Sequence, residues 1–528
     1  MSRYLTILEV SGKQSYIFSS NKLKDNVHRS AEIAYMTSLE GIKKLTNGTG
    51  TFTDNNLVYA GGGHTVLEFS DENSAVSFGR VYTRKVHEDF PDAELFIRTI
   101  PYNYDLKPGE NLEELTKALE RKKSVRRASF HQGSFGIERI QSDTLKPERQ
   151  VTEEQKAIQS EIDEQERKFS KGLLPKGYAL SYKFENLGGS CGDSNFIAVV
   201  HIDGNGMGKR VQDFYDRRKD LSWDDFKKQV NDFSTAIADD FTDAFYEMNE
   251  KVDEAIQKGL LNDLNLQKSQ SETEERYFPV RRLITSGDDI CFVCDGRIGI
   301  SCAKAFIKAL TRKKNTADGE GYHACAGAAI VHAKYPFFRA YDLAESLCSN
   351  AKRFNAQISP VDNGRSISSI DWHIEQGEIR EDLSDIKDQY IAADGTRMDL
   401  RPYIVETSDN EILKNNPFRR FSLFEQVMKV MRGKGRSSMK TMRPSLLEGR
   451  KAAEYYICFH RLESFIQECY FGIFEKQDLS KIGTGVSQKE SAYVTTYEKG
   501  PDKPIVHSIL YDATEIMDTY LPLEGEER

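Results

Sequence analysis

The chain has 528 residues, 29% of them charged and 38% hydrophobic, and a formal net charge of −9. Such a length exceeds one hydrophobic core and predicts roughly two to four domains. No apolar run approaches the roughly 18 residues that span a bilayer, which excludes a membrane-embedded protein, and the acidic balance excludes wholesale coating by nucleic acid while leaving room for local basic patches.

The N-terminal "MSRYLTILEVSGKQ" has neither the basic start nor the long apolar core of a secretory signal, so a cytoplasmic location is expected. Residues 4–10, "YLTILEV", read as a strand rich in β-branched and apolar side chains. A polar, helix-compatible segment follows to about residue 46. "NNLVYAGGGHTVLEFSD" joins two apolar runs through three glycines and reads as a hairpin. A helix over "ENSAVSFGRVYTRKVHEDF" and a strand over "ELFIRTI" complete the order β-α-β-β-α-β, the ferredoxin-like layout. About residues 145–175 the chain is charge-dense with little apolar periodicity, which predicts a solvated connecting helix. Gly188, Gly189 and Gly192 then break it.

From residue 195 the order repeats. "NFIAVVHID" is a buried strand, "GNGMGKRV" turns into a helix, and "FSTAIADDFTDAFYEMNEKVDEAI" has the spacing of a long helix. After a polar insertion comes the hairpin "VRRLITSGDDICFVCDG", then a helix ("SCAKAFIKAL"), a strand ("HACAGAAIVHA") and a helix ("FRAYDLAESLCSNAKRFNA"). Beyond about 365 the spacing is mostly helical. The expected fold class is therefore α+β, with two ferredoxin-like units and a helical C-terminal domain. The expected boundaries are 1–140, a linker 141–192, 193–365 and 366–528. Of the eight cysteines, Cys291 and Cys294 have a zinc-like spacing. They lie on a predicted strand, facing opposite sides, and no second pair completes a tetrahedral site, so they read as structural thiols.

Overlaying the two hairpins sets Gly61, Gly62, Gly63 and His64 against Ser286, Gly287, Asp288 and Asp289. Overlaying the first strands sets Ser11 and Gly12 against Asp203 and Gly204. On that overlay the second unit has three acids where the first has none. Asp288 and Asp289 alone would read as a solvated turn. With Asp203 ending the neighbouring central strand, three carboxylates meet, and their mutual repulsion calls for a divalent cation with hard oxygen ligands, Mg²⁺ or Mn²⁺. The glycine-rich turn Gly204, Asn205, Gly206, Met207, Gly208 enters a helix and offers backbone N–H groups to phosphate. Lys209 adds a cation, and Lys352 on a later helix is a second one within reach of a triphosphate. Two-metal phosphoryl or nucleotidyl transfer needs little more than this positioning and charge neutralisation.

Those residues match a known pattern. "HIDGNGMGK", "SGDD" and "LAESLCSNAKRFN", in that order, resemble the catalytic Palm domain of the large subunit of type III CRISPR–Cas effectors, a family related to GGDEF diguanylate cyclases and class III nucleotidyl cyclases. "GKQSYIFSSNKL" and "YAGGGHTVLEF" resemble the family's first, degenerate Palm domain. The similarity covers about residues 1–355, with a weaker echo in the helical C-terminus. It implies an enzyme that uses two Mg²⁺ or Mn²⁺ ions to join ATP through 3′–5′ linkages into cyclic oligoadenylates, a second messenger in antiviral defence. It implies Asp203, Asp288 and Asp289, with the Ile202 carbonyl, as metal ligands. It implies Gly204 to Lys209 and Lys352 as the seat of one triphosphate. Ser11, Gly61, Gly62, Gly63 and His64 would flank the acceptor nucleotide, with Ser286 and Gly287 on the facing hairpin.

Three departures from the family stand out. Ser286 replaces the first glycine of its Gly-Gly-Asp-Asp, which leaves base choice and product open. The chain begins at the first Palm unit and contains no His-Asp dipeptide, so the family's HD nuclease domain is not expected. Its cysteine-rich zinc element between the Palms is missing, with Cys191 alone nearby. A reduced, independently working enzyme is expected; the alternatives are a large subunit acting mainly as an RNA-bound scaffold, and a stand-alone cyclase using another nucleotide. Residues 418–450 carry nine Lys or Arg against two Glu, a local basic patch open to RNA, to a CRISPR-type protein partner or to substrate triphosphates. A solvated helical face is the alternative, and "FEQVMKVM" within it reads as core packing.

Overall fold

The computed structural model describes residues 3–46, 52–125, 151–189, 195–269, 275–375, 382–434, 436–470, 492–496 and 505–525. Strand β1 (Tyr4–Ser11) buries Leu5, Thr6, Ile7 and Leu8 on both its faces, as the near-continuous apolar run of a central strand requires. With β2 (Leu57–Gly61), β3 (His64–Phe69) and β4 (Glu94–Pro101) it forms an antiparallel sheet ordered β2-β3-β1-β4. Helices α1 (Lys13–Ile17), α2 (Leu23–Thr37) and α3 (Leu39–Thr46) fill the first crossover and α4 (Glu72–Asp89) the second. The α4 start is fixed by Asp71, whose carboxylate accepts from Ser74 N at 2.9 Å. Helix α5 (Pro108–Ser124) follows β4 and packs back against it.

The expected connecting helix is α6 (Glu153–Gly172), opened by a Thr152–Gln155 capping box. It is not simply solvated. Ile162, Glu166 and Ser170, four residues apart, form a buried face, and Glu166 receives the Arg281 guanidinium at 2.8 and 3.0 Å. Because two of those three residues are polar, the stripe leaves no apolar periodicity to read. Residues 141–150 and 190–192 of the expected linker lie outside the described residues, as does Cys191.

After a two-residue pairing of β5 (Tyr178–Ala179) with β7 (Arg276–Tyr277), the second unit repeats the first. Strands β6 (Phe196–Gly204), β8 (Val280–Ser286), β9 (Asp289–Asp295) and β10 (Ala324–His332) adopt the order β8-β9-β6-β10, strand for strand that of the first sheet. Helices α7 (Met207–Asp216) and α8 (Trp223–Gln257) fill its first crossover, α9 (Gly299–Thr311) its second, and α10 (Phe337–Ile358) follows β10. The sheet continues past 365: β11 (Ile367–Ile374) pairs parallel with β10, and β12 (Tyr403–Thr407) antiparallel with β11. Its polar residues hide β11 in the sequence. They are buried but paired, Ser369 Oγ donating to Asn355 Oδ1 at 2.9 Å and Asp371 accepting from Asn350 at 2.7 Å.

The C-terminal part comprises α11 (Leu383–Asp388), α12 (Asn410–Asn415), α13 (Phe421–Gly433), α14 (Arg436–Glu448), α15 (Arg450–Phe459), α16 (Glu463–Tyr470), the antiparallel pair β13 (Tyr493–Thr496) and β14 (Ile505–Ser508), and α17 (Tyr511–Ile516). Phe421, Phe424, Val427, Met428 and Met431 of α13 are core, as expected. Much of the 418–450 positive charge is engaged internally. Arg419 is buried, Lys434 pairs with Glu468 at 2.9 Å, Lys440 pairs with Asp518, and Arg432 donates to the Tyr520 carbonyl. Among the described residues no helix is long and apolar enough to cross a membrane.

One element binds the two sheets. Helix α8 has 35 residues, about 50 Å at 1.5 Å per residue, and buries Phe226, Val230, Phe233, Ile237, Phe241 and Phe245 at helical spacing. It crosses β2, where Ser234 Oγ donates to the Ala60 carbonyl at 3.3 Å. At its start Trp223 Nε1 and Lys227 Nζ both donate to Glu68 on β3.

Candidate active site

The acids lie where β6 ends and β9 begins. Asp203 stands directly opposite Asp289 in the antiparallel register, and Gly204 N donates to the Asp288 carbonyl at 3.2 Å. Gly287 makes the β8–β9 turn at φ +67°, and Ser286 ends β8 opposite Asp289. The register thus sets Asp203, Asp288 and Asp289, the acids singled out in the sequence, side by side along the backbone at one end of the sheet. Lys352 joins them, its Nζ donating to Asp203 Oδ2 at 2.6 Å and to the Gly204 carbonyl at 3.0 Å. Burial lowers the affinity of this ammonium for its proton, but the Asp203 charge more than offsets that and leaves it raised.

Asp288 and Asp289 are each pushed up to about 7, first by burial and then by the charge of Asp203. Glu345 adds to the effect at Asp289, while Lys13 and Lys352 oppose it. Glu345 sits two helical turns before Lys352 on α10, so both project from one face. It accepts from Gln14 Nε2 of the first unit at 2.9 Å. Lys13 donates to the Gly62 carbonyl. The sequence reading missed both residues; seven-residue spacing from Lys352 was the available signal for Glu345.

The donor set fits a hard divalent cation such as Mg²⁺ or Mn²⁺. Its groups are carboxylate oxygens, and one of them, Asp289 Oδ1, is buried with no hydrogen-bond partner. His201 Nδ1 lies 3.4 Å from that oxygen without hydrogen-bond alignment and is also unpartnered. Ile202 precedes Asp203 on β6, between Ile290 and Ala326 of the flanking strands. Among the described residues no three His, Cys, Asp or Glu side chains converge as a ready-made cage; the cation that Asp203 holds is Lys352.

Two cavities flank the acids. The smaller, about 310 Å³, is lined by Asn205, Gly206, Lys209, Lys352 and the turn Val361–Arg365. Arg365 was not foreseen, although "DNG" before it is a turn signal. The larger, about 930 Å³, lies between the two units. Gly61, Gly62 and His64 line one side, Met207, Gly208, Gly287 and Asp288 another, with Tyr59, Leu112, Tyr215, Phe233 and Ile237 supplying apolar wall. The glycine turns face each other closely: a Cβ on Gly287 would stand 3.7 Å from Gly62 N. Ser11, Gly63, Ile202, Asp203, Gly204 and Asp289 line neither cavity. The nucleotide-turn residues thus divide, Met207 and Gly208 facing one cavity and Asn205, Gly206 and Lys209 the other. The His64 imidazole is lowered by burial and by Lys13, and lies 3.3 Å from the Tyr59 hydroxyl.

The register corrects the sequence overlay of the first strands by two residues. Glu9 pairs with His64 as Asp203 pairs with Asp289, so Glu9, and not Ser11, is the counterpart of Asp203. Gly12 and Gly206, both left-handed and both preceding a helix, then correspond. The first unit is consequently not free of acid at this place. Lys123, on the helix after β4, reaches Glu9 Oε1 at 3.0 Å, just as Lys352, on the helix after β10, reaches Asp203. Short motifs could not reveal this, because Ser-Gly and Asp-Gly look equivalent when only the strand end is compared.

No protein-family model matches the sequence, and no curated protein matches it. Solved structures do match. A chain of a Csm1–Csm4 cassette in complex with pppApApA aligns at TM-score 0.51 and 13% identity, covering 98% of this chain and 69% of that one. A chain of the apo cassette aligns at TM-score 0.47 and 11% identity with the same coverage, 98% and 69%. A chain of the cassette with cA3 aligns at TM-score 0.42 and 15% identity over 70% and 54%. This chain therefore spans between 54% and 69% of the length of those chains. Two units that share one strand order, an acidic edge on the second and a helical C-terminal part give this chain a fold like that of the matched chain of the Csm1–Csm4 cassette.

Proposed function

We propose that the chain is a nucleotidyltransferase and cyclase that converts ATP into a cyclic (oligo)adenylate-type messenger with release of pyrophosphate, in antiviral defence. The observation that carries the reading is the opposition of Asp203 and Asp289 in register, with Asp288 beside them, at the seam between a cationic cavity and a larger, more apolar one. The solved chain of like fold is held in a complex with pppApApA, a linear adenylate of the kind that stepwise joining produces. That cassette also contains Csm4, and a partner protein of that kind is proposed for this chain.

One ATP places its phosphates among Asn205, Gly206, Lys209 and Lys352, with its α-phosphate at the carboxylate edge. A second lies in the larger cavity, where the facing glycine turns leave room for its sugar, and presents its 3′-hydroxyl to that phosphorus. The 3′-oxygen bonds to the α-phosphorus, the bond from the α-phosphorus to the β-bridging oxygen breaks, pyrophosphate leaves, and the hydroxyl proton passes to water in the cavity. Asp203, Asp288, Asp289 and the Ile202 carbonyl are the groups that would hold divalent ions. Bound there, such ions neutralise the transferring phosphate and acidify the attacking hydroxyl. Lys352 exchanges Asp203 for phosphate oxygens, and the same joining step between chain ends closes the ring.

The test is incubation of the purified protein with each nucleoside triphosphate and Mg²⁺ or Mn²⁺, with mass spectrometry of the products. A cyclic adenylate and pyrophosphate are expected from ATP. Absence of product from every triphosphate, with and without RNA, overturns the reading. The double variant Asp288→Ala, Asp289→Ala is expected to fold and to make no product; full synthesis by it would move the chemistry elsewhere.

A further inference from the structure

His201 is a buried polar group that the mechanism above does not use. Strand β6 alternates its side chains across the sheet, so His201 and Asp203, two residues apart, share one face. Cys291 and Asp289 stand directly opposite them on β9 and belong to the same face. Asp288, one residue earlier, takes the other side: it lines the larger cavity, and Asp289 does not. The two neighbouring aspartates thus serve different places.

On the His201 face most polar groups are already engaged. Asp203 Oδ2 is held by Lys352 at 2.6 Å. Glu345 Oε1 accepts from Gln14 Nε2 at 2.9 Å, and the same amide donates to the Tyr341 hydroxyl at 3.2 Å. The Tyr341 ring packs on the imidazole in a T-shaped pair, 5.6 Å between centroids, and holds its plane. Two buried atoms, His201 Nδ1 and Asp289 Oδ1, are left without a hydrogen-bond partner. They stand 3.4 Å apart, and His201 as a whole is only 5% exposed.

Burying two polar atoms side by side with no bond between them is unfavourable. A shared ion removes the deficit, and the spacing suits one. Two donors about 2.1 Å from one ion, at the roughly 90–110° angles of octahedral and tetrahedral coordination, stand about 3.0–3.4 Å apart. Such an ion sits to one side of the line between its donors, so the misalignment that spoils a hydrogen bond does not count against it. Burial also lowers the affinity of this imidazole for a proton, which favours the form with a free lone pair.

We infer that His201 Nδ1 and Asp289 Oδ1 form a cation site on the α10 face of the sheet, separate from the larger cavity, whose nitrogen ligand makes it prefer divalent transition ions to Mg²⁺. Mg²⁺ takes oxygen ligands, whereas imidazole suits first-row transition ions, with affinity rising from Mn²⁺ through Co²⁺ to Ni²⁺. Asp203, on the same face, is a further oxygen donor once Lys352 turns to phosphate. The acidic edge then offers two kinds of place: Asp288 with oxygen alone towards the larger cavity, and Asp289 with oxygen and nitrogen behind it. This rests on the reading of these carboxylates as metal ligands, and not on the reaction proposed for them.

The experiment loads the full chain, free of nucleotide, with Mn²⁺ and records pulsed electron paramagnetic resonance. Nitrogen modulation from a bound imidazole is expected in wild type, changing to the ¹⁵N pattern in protein grown on ¹⁵N-histidine. His201→Asn and His201→Phe are each expected to abolish it. In calorimetry, Co²⁺ is expected to bind wild type at least about tenfold more tightly than Mg²⁺. His201→Asn is expected to weaken Co²⁺ about tenfold or more and to leave Mg²⁺ within about twofold. No nitrogen modulation in wild type, its survival in either variant, or equal weakening of Co²⁺ and Mg²⁺ overturns the inference. Should His201→Phe fail to fold, His201→Asn and the labelled wild type decide. If no nucleoside triphosphate yields product while the histidine signal is present, the proposed function falls and this site stands. Product without that signal sinks the site alone.

Discussion

Asp288 and Asp289 are aspartates that keep their protons near neutrality, held up to about 7 by burial and by the charge of Asp203. Between the ordinary aspartate value of about 4 and about 7 the folded, metal-free protein therefore binds more protons than the unfolded chain. Its stability falls as pH rises through that window. The Asp289 side chain is 36% exposed, so solvent screens part of the repulsion, and about 1–2 kcal/mol is the expected cost at pH 8. Asp289→Asn should raise the melting temperature in chelator at pH 8 and change it little at pH 4; thermal melts across pH check this. An equal effect at both pH values would show that repulsion is not the cause. At this scale the sequence was informative where chemistry is local. Asp203, Asp288, Asp289 and Lys352 stood out by type and spacing. Glu9, Lys13, Lys123 and Arg365 did not, because each acquires its meaning only from a partner far away in the chain.

Helix α6 shows the limit of periodicity. Its buried face sets an acid and a serine beside one isoleucine, and it docks by ion pairs that a charge-dense sequence conceals. Arg281, nearly fully buried, has its guanidinium on Glu166. Removing one partner of such a pair leaves an uncompensated buried charge, so Glu166→Ala should cost about 3–5 kcal/mol in denaturant unfolding. A loss near zero would mean that Arg281 finds water on its own. His28 of α2 meets the same helix at Asp163, 2.7 Å away, and lies 3.3 Å from Glu32. Burial alone would lower this imidazole, but the bonds and charges of Glu32 and Asp163 raise it to about 9. The contribution of His28 to α6 docking is then complete below the unfolded value of about 6.5 and lost as pH rises through about 9. Hydrogen exchange of α6 should show that loss in wild type and not in His28→Gln. Strand β11 makes the same point in reverse: paired buried polar residues look like a loop until the partners are known.

At the scale of the molecule, catalysis as proposed depends on two units keeping their glycine turns apart by one backbone's width. Glu68 does much of this holding. It receives Trp223 Nε1 and Lys227 Nζ of α8, and Arg3 lies 3.7 Å away. Glu68→Ala should loosen the seam. Synthesis is expected to drop at least several-fold while α,β-methylene-ATP binding in the smaller cavity stays within about twofold; undiminished synthesis would show that the seam is held elsewhere. The overall plan, two copies of one layout and a helical remainder, was legible because strand order follows from the alternation of apolar runs and turns. The seam was not, since nothing local specifies which faces of the two copies meet.

The matched pairs Glu9–Lys123 and Asp203–Lys352 also speak to ancestry. A shared register, a shared left-handed glycine and a lysine returning from the same helix are what tandem duplication of one ancestral unit leaves behind after residue identity has worn away. Two identical copies on separate chains would carry every substitution twice, so neither could lose its acids without the other. In one chain each copy can carry its own residues: the second has Asp288 and Asp289 where the first has Gly63 and His64, while the salt bridge at the end of the central strand is common to both.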